Sequence, residues 1–188
     1  MKIFLIVATT IDGQIAQTKD QVSTGWTSRE DATWFRERTK QAGVCVMGRT
    51  TYDTVGRPLP GRTVIVQTSK PELLSKVNPQ ITVLDSKSNW QRQSEATEVL
   101  ATNLQIPELI KKLSISGVEE LAICGGASVY TAWLKSGYVE TLYITQESKL
   151  FGRGVSLLTD EVDIQLDLVS SKQLGSQTLL NEYRVKTG

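Results

Sequence analysis

Histidine is absent from all 188 residues. That absence excludes Ser-His-Asp hydrolysis, imidazole acid-base chemistry and most zinc centres, and no metal site is expected. Cysteine is scarce: Cys45 and Cys124 stand far apart, each inside an apolar run (GVCVM and LAICGG). Such a pair predicts buried free thiols and no disulfide framework, which suits a reducing, cytoplasmic compartment. An excess of one charge is missing too. Lys and Arg number 21 and Asp and Glu 20, for a formal net charge of +1. Nothing in that balance points to nucleic acid or to an anionic membrane as a partner. Long apolar runs are also lacking: the opening MKIFLIVATTIDG turns polar too soon to span a bilayer and has no clear cleavage site. What is present, 39% hydrophobic and 22% charged residues, is ordinary for one soluble domain spanning residues 1–188.

Periodicity organises the chain. Lys2 to Thr9 is a continuous apolar run that suits a strand covered on both faces. A long polar stretch follows from Ile11 to Gly25. Thr27 or Ser28 then reads as a helix N-cap, with Arg29, Glu30 and Asp31 behind it and Trp34, Phe35 and Arg38 at helical spacing. The helix is expected to reach about Lys40. Gly43 to Met47, Thr63 to Gln67, Ile81 to Leu84, Leu121 to Cys124 and Val139 to Thr145 predict further buried strands. Helices are expected from Gly48, over Ile106 to Leu113 and over Ser128 to Lys135. Asp85 to Asn103 is polar and weakly periodic, and predicts a surface loop or peripheral insertion. Ile164 to Ser170 and Thr178 to Val185, separated by Gly175, predict an antiparallel pair. The alternation implies an α/β fold with a mostly parallel central sheet and an antiparallel C-terminal strand pair.

Two loops carry anion-binding character. Met47-Gly48-Arg49-Thr50-Thr51 follows a strand and opens a helix, whose first N–H groups are unpaired and whose dipole favours an anion. Cys124-Gly125-Gly126-Ala127-Ser128 has the same position in a second strand–helix unit, and its glycines permit close backbone approach. Both lie at the carboxyl ends of strands, where ligands bind in open α/β sheets. Neither fits the Rossmann or P-loop spacing.

Val46 to Ser69, VMGRTTYDTVGRPLPGRTVIVQTS, resembles dihydrofolate reductases, which carry I-M-G-R-x-T-W/Y-x-S/T-I/V-G-R-P-L-P-G-R before a strand ending in hydroxyl residues. Met47 to Arg62 follow that pattern without a gap. Trp26, Asp31, Trp34 and Phe35 resemble the family's Trp, active-site acid and pocket Phe. Ile123 to Tyr130, with Leu142-Tyr143-Ile144-Thr145, resembles its Gly-Gly helix start and following strand. The resemblance implies a three-layer αβα fold and NADPH-dependent reduction of 7,8-dihydrofolate. It implies Asp31 as the buried carboxylate for the pterin, supported by Thr145. Ile6, Val7, Ala8, Phe35, Val55, Leu59 and Cys124 would line the pocket. Arg62 would hold the carboxylate of the substrate's glutamate tail, with Arg57 nearby. Arg49, Thr50, Thr68, Ser69 and Lys70 would meet the adenosine phosphates, and Arg49 favours NADPH over NADH. Ala8, Ile15, Gly48, Thr51, Cys124, Gly125, Gly126, Ala127, Ser128, Val129 and Tyr130 would pack around the cofactor. Ile11 to Trp26 would form a mobile closing loop.

Other segments resemble the related riboflavin-pathway reductases. Ile11-Asp12-Gly13-Gln14-Ile15-Ala16 is similar to their S-L-D-G-x-I-A opening, SGVEELAICGGASVYTAWLKSGYVETLYI and LVSSKQLGSQTLLNEYRV lean the same way, and Gly25 replaces the usual Pro before Trp26. A phosphoribosylamino-pyrimidine reductase is therefore the alternative, and a non-catalytic NADPH-binding protein on the same fold is a third reading. A monomer and a homodimer are both compatible with the sequence.

Overall fold

A computed structural model describes residues 1–186. Its strands are β1 (Lys2–Thr10), β2 (Gln14–Ala16), β3 (Val44–Gly48), β4 (Thr63–Gln67), β5 (Ile81–Val83), β6 (Glu98–Thr102), β7 (Glu120–Ile123), β8 (Thr141–Glu147), β9 (Val155–Ser156), β10 (Leu166–Gly175) and β11 (Thr178–Val185). Its α-helices are α1 (Arg29–Ala42), α2 (Arg49–Val55), α3 (Pro71–Val77), α4 (Ile106–Ile115) and α5 (Ala127–Lys135).

Among the described residues, nine strands form one sheet in the order β10-β11-β8-β1-β7-β3-β4-β6-β5. Every pairing from β8 to β5 is parallel; β11 joins β8, and β10 joins β11, antiparallel. The central strands read as unbroken apolar runs because both faces are buried. One face packs Phe4, Ile6, Cys45, Met47 and Val64 against residues of α1, α2 and α3, among them Ala42, Tyr52 and Leu74. The other packs Leu5, Val7, Val46 and Ile65 against Leu109 and Leu113 of α4 and Trp133 of α5. This is the expected three-layer αβα architecture. Among the described residues, no helix is long and apolar enough to cross a membrane.

The expectation of a peripheral loop from Asp85 to Asn103 is corrected. Glu98 to Thr102 is β6, an internal strand paired in parallel with both β4 and β5. Val99, Leu100, Ala101 and Thr102 are all buried. Glu98 at its start accepts bonds from Thr63 Oγ1 (2.8 Å) and Trp90 Nε1 (3.0 Å), so the preceding polar segment folds back onto the strand. Helix α3 carried no clear sequence signal either. Two further boundaries move: β8 runs two residues beyond Thr145, and β10 extends to Gly175.

Helix α1 sets up the site. Ser28 is its N-cap, and the Ser28 hydroxyl accepts the Asp31 N–H at 3.1 Å. Gly43 ends the helix with φ 75°, in the left-handed region where glycine carries no Cβ penalty. Arg38, buried on the inner side of α1, places its guanidinium 3.8 Å from the Phe4 ring centroid and pairs with Glu120 at 2.8 Å. That contact fixes the helix against β1 and β7.

Candidate active site

The carboxyl ends of β8, β1, β7, β3 and β4 are neighbours in the sheet, and the predicted site residues gather there. Asp31 is buried in the first turn of α1 and faces β8. Thr145 Oγ1 lies 2.5 Å from Asp31 Oδ1 and 3.2 Å from the Val7 carbonyl, so its single proton can serve either oxygen. Burial raises the Asp31 proton affinity above its ordinary value; the Thr145 and Thr27 hydroxyls oppose this, and the Glu147 charge adds a smaller push upward. A carboxyl poised in this way can bind the N–H edge of a heterocycle in either protonation state.

The pocket walls follow the pleat of β1. Ile6 packs with Phe35, Leu59 and Cys124 on the α1 side of the sheet. Val7 lies in the cluster on the opposite face, because successive strand residues alternate. Its side chain therefore stands apart from the Ile6 wall, and only its carbonyl turns toward Thr145. Ala8 and Val55 are half-buried near the same edge. The Cys124 thiol is pushed well above its ordinary value by its hydrogen bond with Cys45 and then by burial, so it acts as a neutral apolar contact. Tyr130, raised mainly by burial, remains a phenol and donates to the Ile6 carbonyl at 2.9 Å.

Arg62 is buried behind the Pro58–Gly61 turn. Its Nε donates to the Pro60 carbonyl at 3.2 Å and its Nη1 to Thr39 Oγ1 at 2.8 Å. These two bonds fix the plane of the guanidinium and leave Nη2 for another acceptor. Arg57, by contrast, is exposed.

The two glycine loops touch. Gly48 N–H donates to the Gly125 carbonyl at 2.7 Å, and Cys124 N–H to the Val46 carbonyl at 2.8 Å. A Cβ on Gly48 would come 3.0 Å from Val129, and one on Gly126 would come 3.1 Å from Thr51 Oγ1. The result is a floor of bare backbone. Around its rim stand exposed Thr50, Ser69, Lys70 and Ser128, with half-buried Thr68; Ala127 is buried beneath. Arg49 pairs with Asp53 at 2.6 Å across one helical turn. Such a solvent-facing pair contributes little and is easily exchanged for a phosphate.

The first loop is anchored at both ends. Asp12 accepts from Thr10 Oγ1 and from the N–H groups of Phe151 and Gly152, and β2, which carries Ile15, pairs with β9. At the other end Trp26 stacks edge-on with Phe151 at 5.1 Å, and its carbonyl accepts from Lys149 Nζ at 2.6 Å. Gln17 to Asp20 between these anchors is exposed.

The model of the RibD C-terminal domain matches residues 1–180. The chain belongs to that family. Among curated relatives, the dihydrofolate reductase of Haemophilus influenzae is 42% identical over 66 residues, 35% of this chain and 39% of that protein. The match thus spans well under half of that relative. The dihydrofolate reductase of Bacillus subtilis is 27% identical over 158 residues, 84% of this chain and 77% of that protein. Among solved structures, Acinetobacter baumannii RibD superposes with a TM-score of 0.76 at 16% identity, over 99% of this chain and 58% of that one. Enterococcus faecalis dihydrofolate reductase, solved with NADP(H), superposes with a TM-score of 0.67 at 20% identity, over 99% of this chain and 97% of that one. The RibD C-terminal domain fold is therefore the dihydrofolate reductase-like fold, and both groups of relatives are reductases.

Sequence reasoning missed Thr27 and Glu147 as residues of this site. Trp26 Nε1 is buried without a protein partner beside the turn that carries Asp31, and the buried Thr27 hydroxyl lies near enough to the Asp31 carboxyl to lower its proton affinity. Trp26 was legible from its spacing to Asp31; Thr27 was read only as a possible cap. Glu147 gave no local signal, since its partner Ser28 lies 119 positions away.

Proposed function

We propose that the protein is an NADPH-dependent reductase of a pterin, with 7,8-dihydrofolate as the substrate. The observation that carries this reading is the Asp31–Thr145 pair, buried at the carboxyl edge of the sheet beside an apolar wall. The pair suits the polar edge of a pterin: the carboxyl takes the ring N–H and amino group, and Thr145 holds the carboxyl in place. Arg62, with its plane fixed by Thr39 and Pro60, would take the carboxylate of the glutamate tail.

The residues fit a dinucleotide. The bare backbone floor of Gly48, Gly125 and Gly126 admits close approach, and Arg49, Thr50, Thr68, Ser69 and Lys70 ring the place where phosphates would lie. NADPH, when bound, supplies a hydride to the carbon of a C=N bond. The chain's own residues orient the ring, exclude water and supply the proton for the adjacent nitrogen. Ile6, Phe35 and Leu59 form the apolar wall. Burial raises the proton affinity of the Asp31 carboxyl, which favours a proton at this position over a free carboxylate. Trp26 Nε1 and Thr27 Oγ1 offer further hydrogen-bonding groups at the same rim. No imidazole is needed.

One observation favours a second substrate class. The RibD C-terminal domain match covers residues 1–180, through β10 and the start of β11, which supports a phosphoribosylamino-pyrimidine as substrate. That substrate needs a phosphate site where the glutamate tail would lie. Comparing kcat/KM for the two substrates with the same enzyme preparation decides between them. Preference for dihydrofolate upholds the pterin reading; preference for the pyrimidine replaces it.

A further inference from the structure

Glu147 is buried, yet no cation pairs with it among the described residues. Its place in the sheet explains where it points. Thr145 and Glu147 are two apart on β8 and share the face that meets α1. Glu147 Oε1 accepts the Ser28 N–H at 2.8 Å, and Oε2 accepts from Thr178 Oγ1 at 2.9 Å. Thr178 Oγ1 also lies 2.8 Å from Ser28 Oγ, the atom that caps Asp31 N–H. A short chain of bonds therefore runs from β11 through Glu147 and Ser28 to the backbone of Asp31.

We propose that Glu147 is a positioning residue for Asp31: it clamps the Ser28 cap that seats Asp31, and it sets a second negative charge beside the same pocket. This rests on the reading of Asp31 as the carboxyl that meets the substrate.

Glu147 is the charged group that acts on Asp31, beside the larger effects of burial and of the Thr145 and Thr27 hydroxyls. The Thr145 hydroxyl on β8 and the Thr27 hydroxyl before α1 face Asp31, and the Tyr130 phenol on α5, held on the Ile6 carbonyl, lies within its electrostatic reach. Glu30 and Arg29 share the first turn of α1 but are exposed, and Lys149 is held on the Trp26 carbonyl. Of these charged groups, Glu147 opposes ionisation of Asp31, in line with the like-charge rule for neighbouring carboxylates. The helix end tolerates the buried acid because its N–H groups and dipole favour an anion there. Glu147 thus engages the Ser28 N–H at the start of the helix, and the Asp31 carboxyl is left to face the pocket.

The test is a carboxyl carbon NMR titration of the full chain, without substrate, in wild type and Glu147→Gln. Glutamine keeps an oxygen for the Ser28 N–H, so the cap survives while the charge is lost. The Asp31 midpoint moves to lower pH in Glu147→Gln, and the acid limb of the kcat/KM profile moves with it. An unchanged midpoint in a folded variant overturns the proposal. Should that variant not fold, the wild-type curve decides: coupling to a neighbouring carboxyl gives an Asp31 signal that departs from a single-site titration. A single, unperturbed transition refutes the coupling. Neither titration depends on turnover, so a wrong reading of Asp31 chemistry appears separately, as an Asp31→Asn variant with full activity.

Discussion

Thr145 Oγ1 and Asp31 Oδ1 stand 2.5 Å apart although 114 positions separate them in the chain. The contact joins the carboxyl end of β8 to the first turn of α1. It lowers the Asp31 proton affinity against the larger effect of burial. Thr145→Val therefore moves the Asp31 midpoint to higher pH, as read by carboxyl NMR. Leaving a buried polar partner unsatisfied also costs about 1–3 kcal/mol, measurable by urea unfolding. A variant with unchanged midpoint and stability contradicts the contact.

Asp31→Asn separates chemistry from binding. Turnover drops about 100-fold or more, the usual scale of a proton-transfer group, while NADPH affinity stays within a few-fold. Equal loss of both makes Asp31 structural.

The same substitution has a stability signature. The folded state holds the Asp31 proton above its ordinary value of 3.8. The native state then binds more protons than the unfolded state, so stability falls as pH rises through the folded value. Asn carries no such penalty. Asp31→Asn gains Tm over wild type at pH 7, and the gain shrinks toward pH 3.8 and below. A gap that does not change with pH refutes the burial argument.

Arg62→Leu raises the KM for dihydrofolate about tenfold to a hundredfold, the worth of one charge-assisted hydrogen bond. A pterin without the glutamate shows little change. Thr39 Oγ1 keeps its 2.6 Å bond to the Phe35 carbonyl, so α1 is held as before. Equal effects on both substrates remove Arg62 from the tail site.

Leu100→Ala tests the corrected place of β6. Leu100 is buried at 1% exposure on a strand flanked by β4 and β5. Its truncation costs about 2–5 kcal/mol in denaturant unfolding, the range for core leucines. A loss below about 0.5 kcal/mol restores the surface-loop reading.

Much of the fold was legible because its central strands are covered on both faces and so appear as apolar runs. Lys2 to Thr10 and Thr63 to Gln67 are of this kind. Glu98 to Thr102 is equally buried, but it is five residues long, begins with a charge and follows a polar stretch. Helix α3 spans Pro71–Val77, too short for a helical period to stand out. Asp31 was legible from its spacing to Trp26 and Phe35 together with its place behind a cap. Glu147 was not, because its function depends on contacts to Ser28 and Thr178 that exist only after the tail hairpin closes on β8.

The most direct measurement is NADPH oxidation by the purified protein, followed at the nicotinamide absorbance, with and without 7,8-dihydrofolate, in wild type and Asp31→Asn. Oxidation that requires dihydrofolate and is lost in Asp31→Asn is the expected result. NADPH binding with no dihydrofolate turnover, or turnover that survives in Asp31→Asn, contradicts the pterin reductase reading.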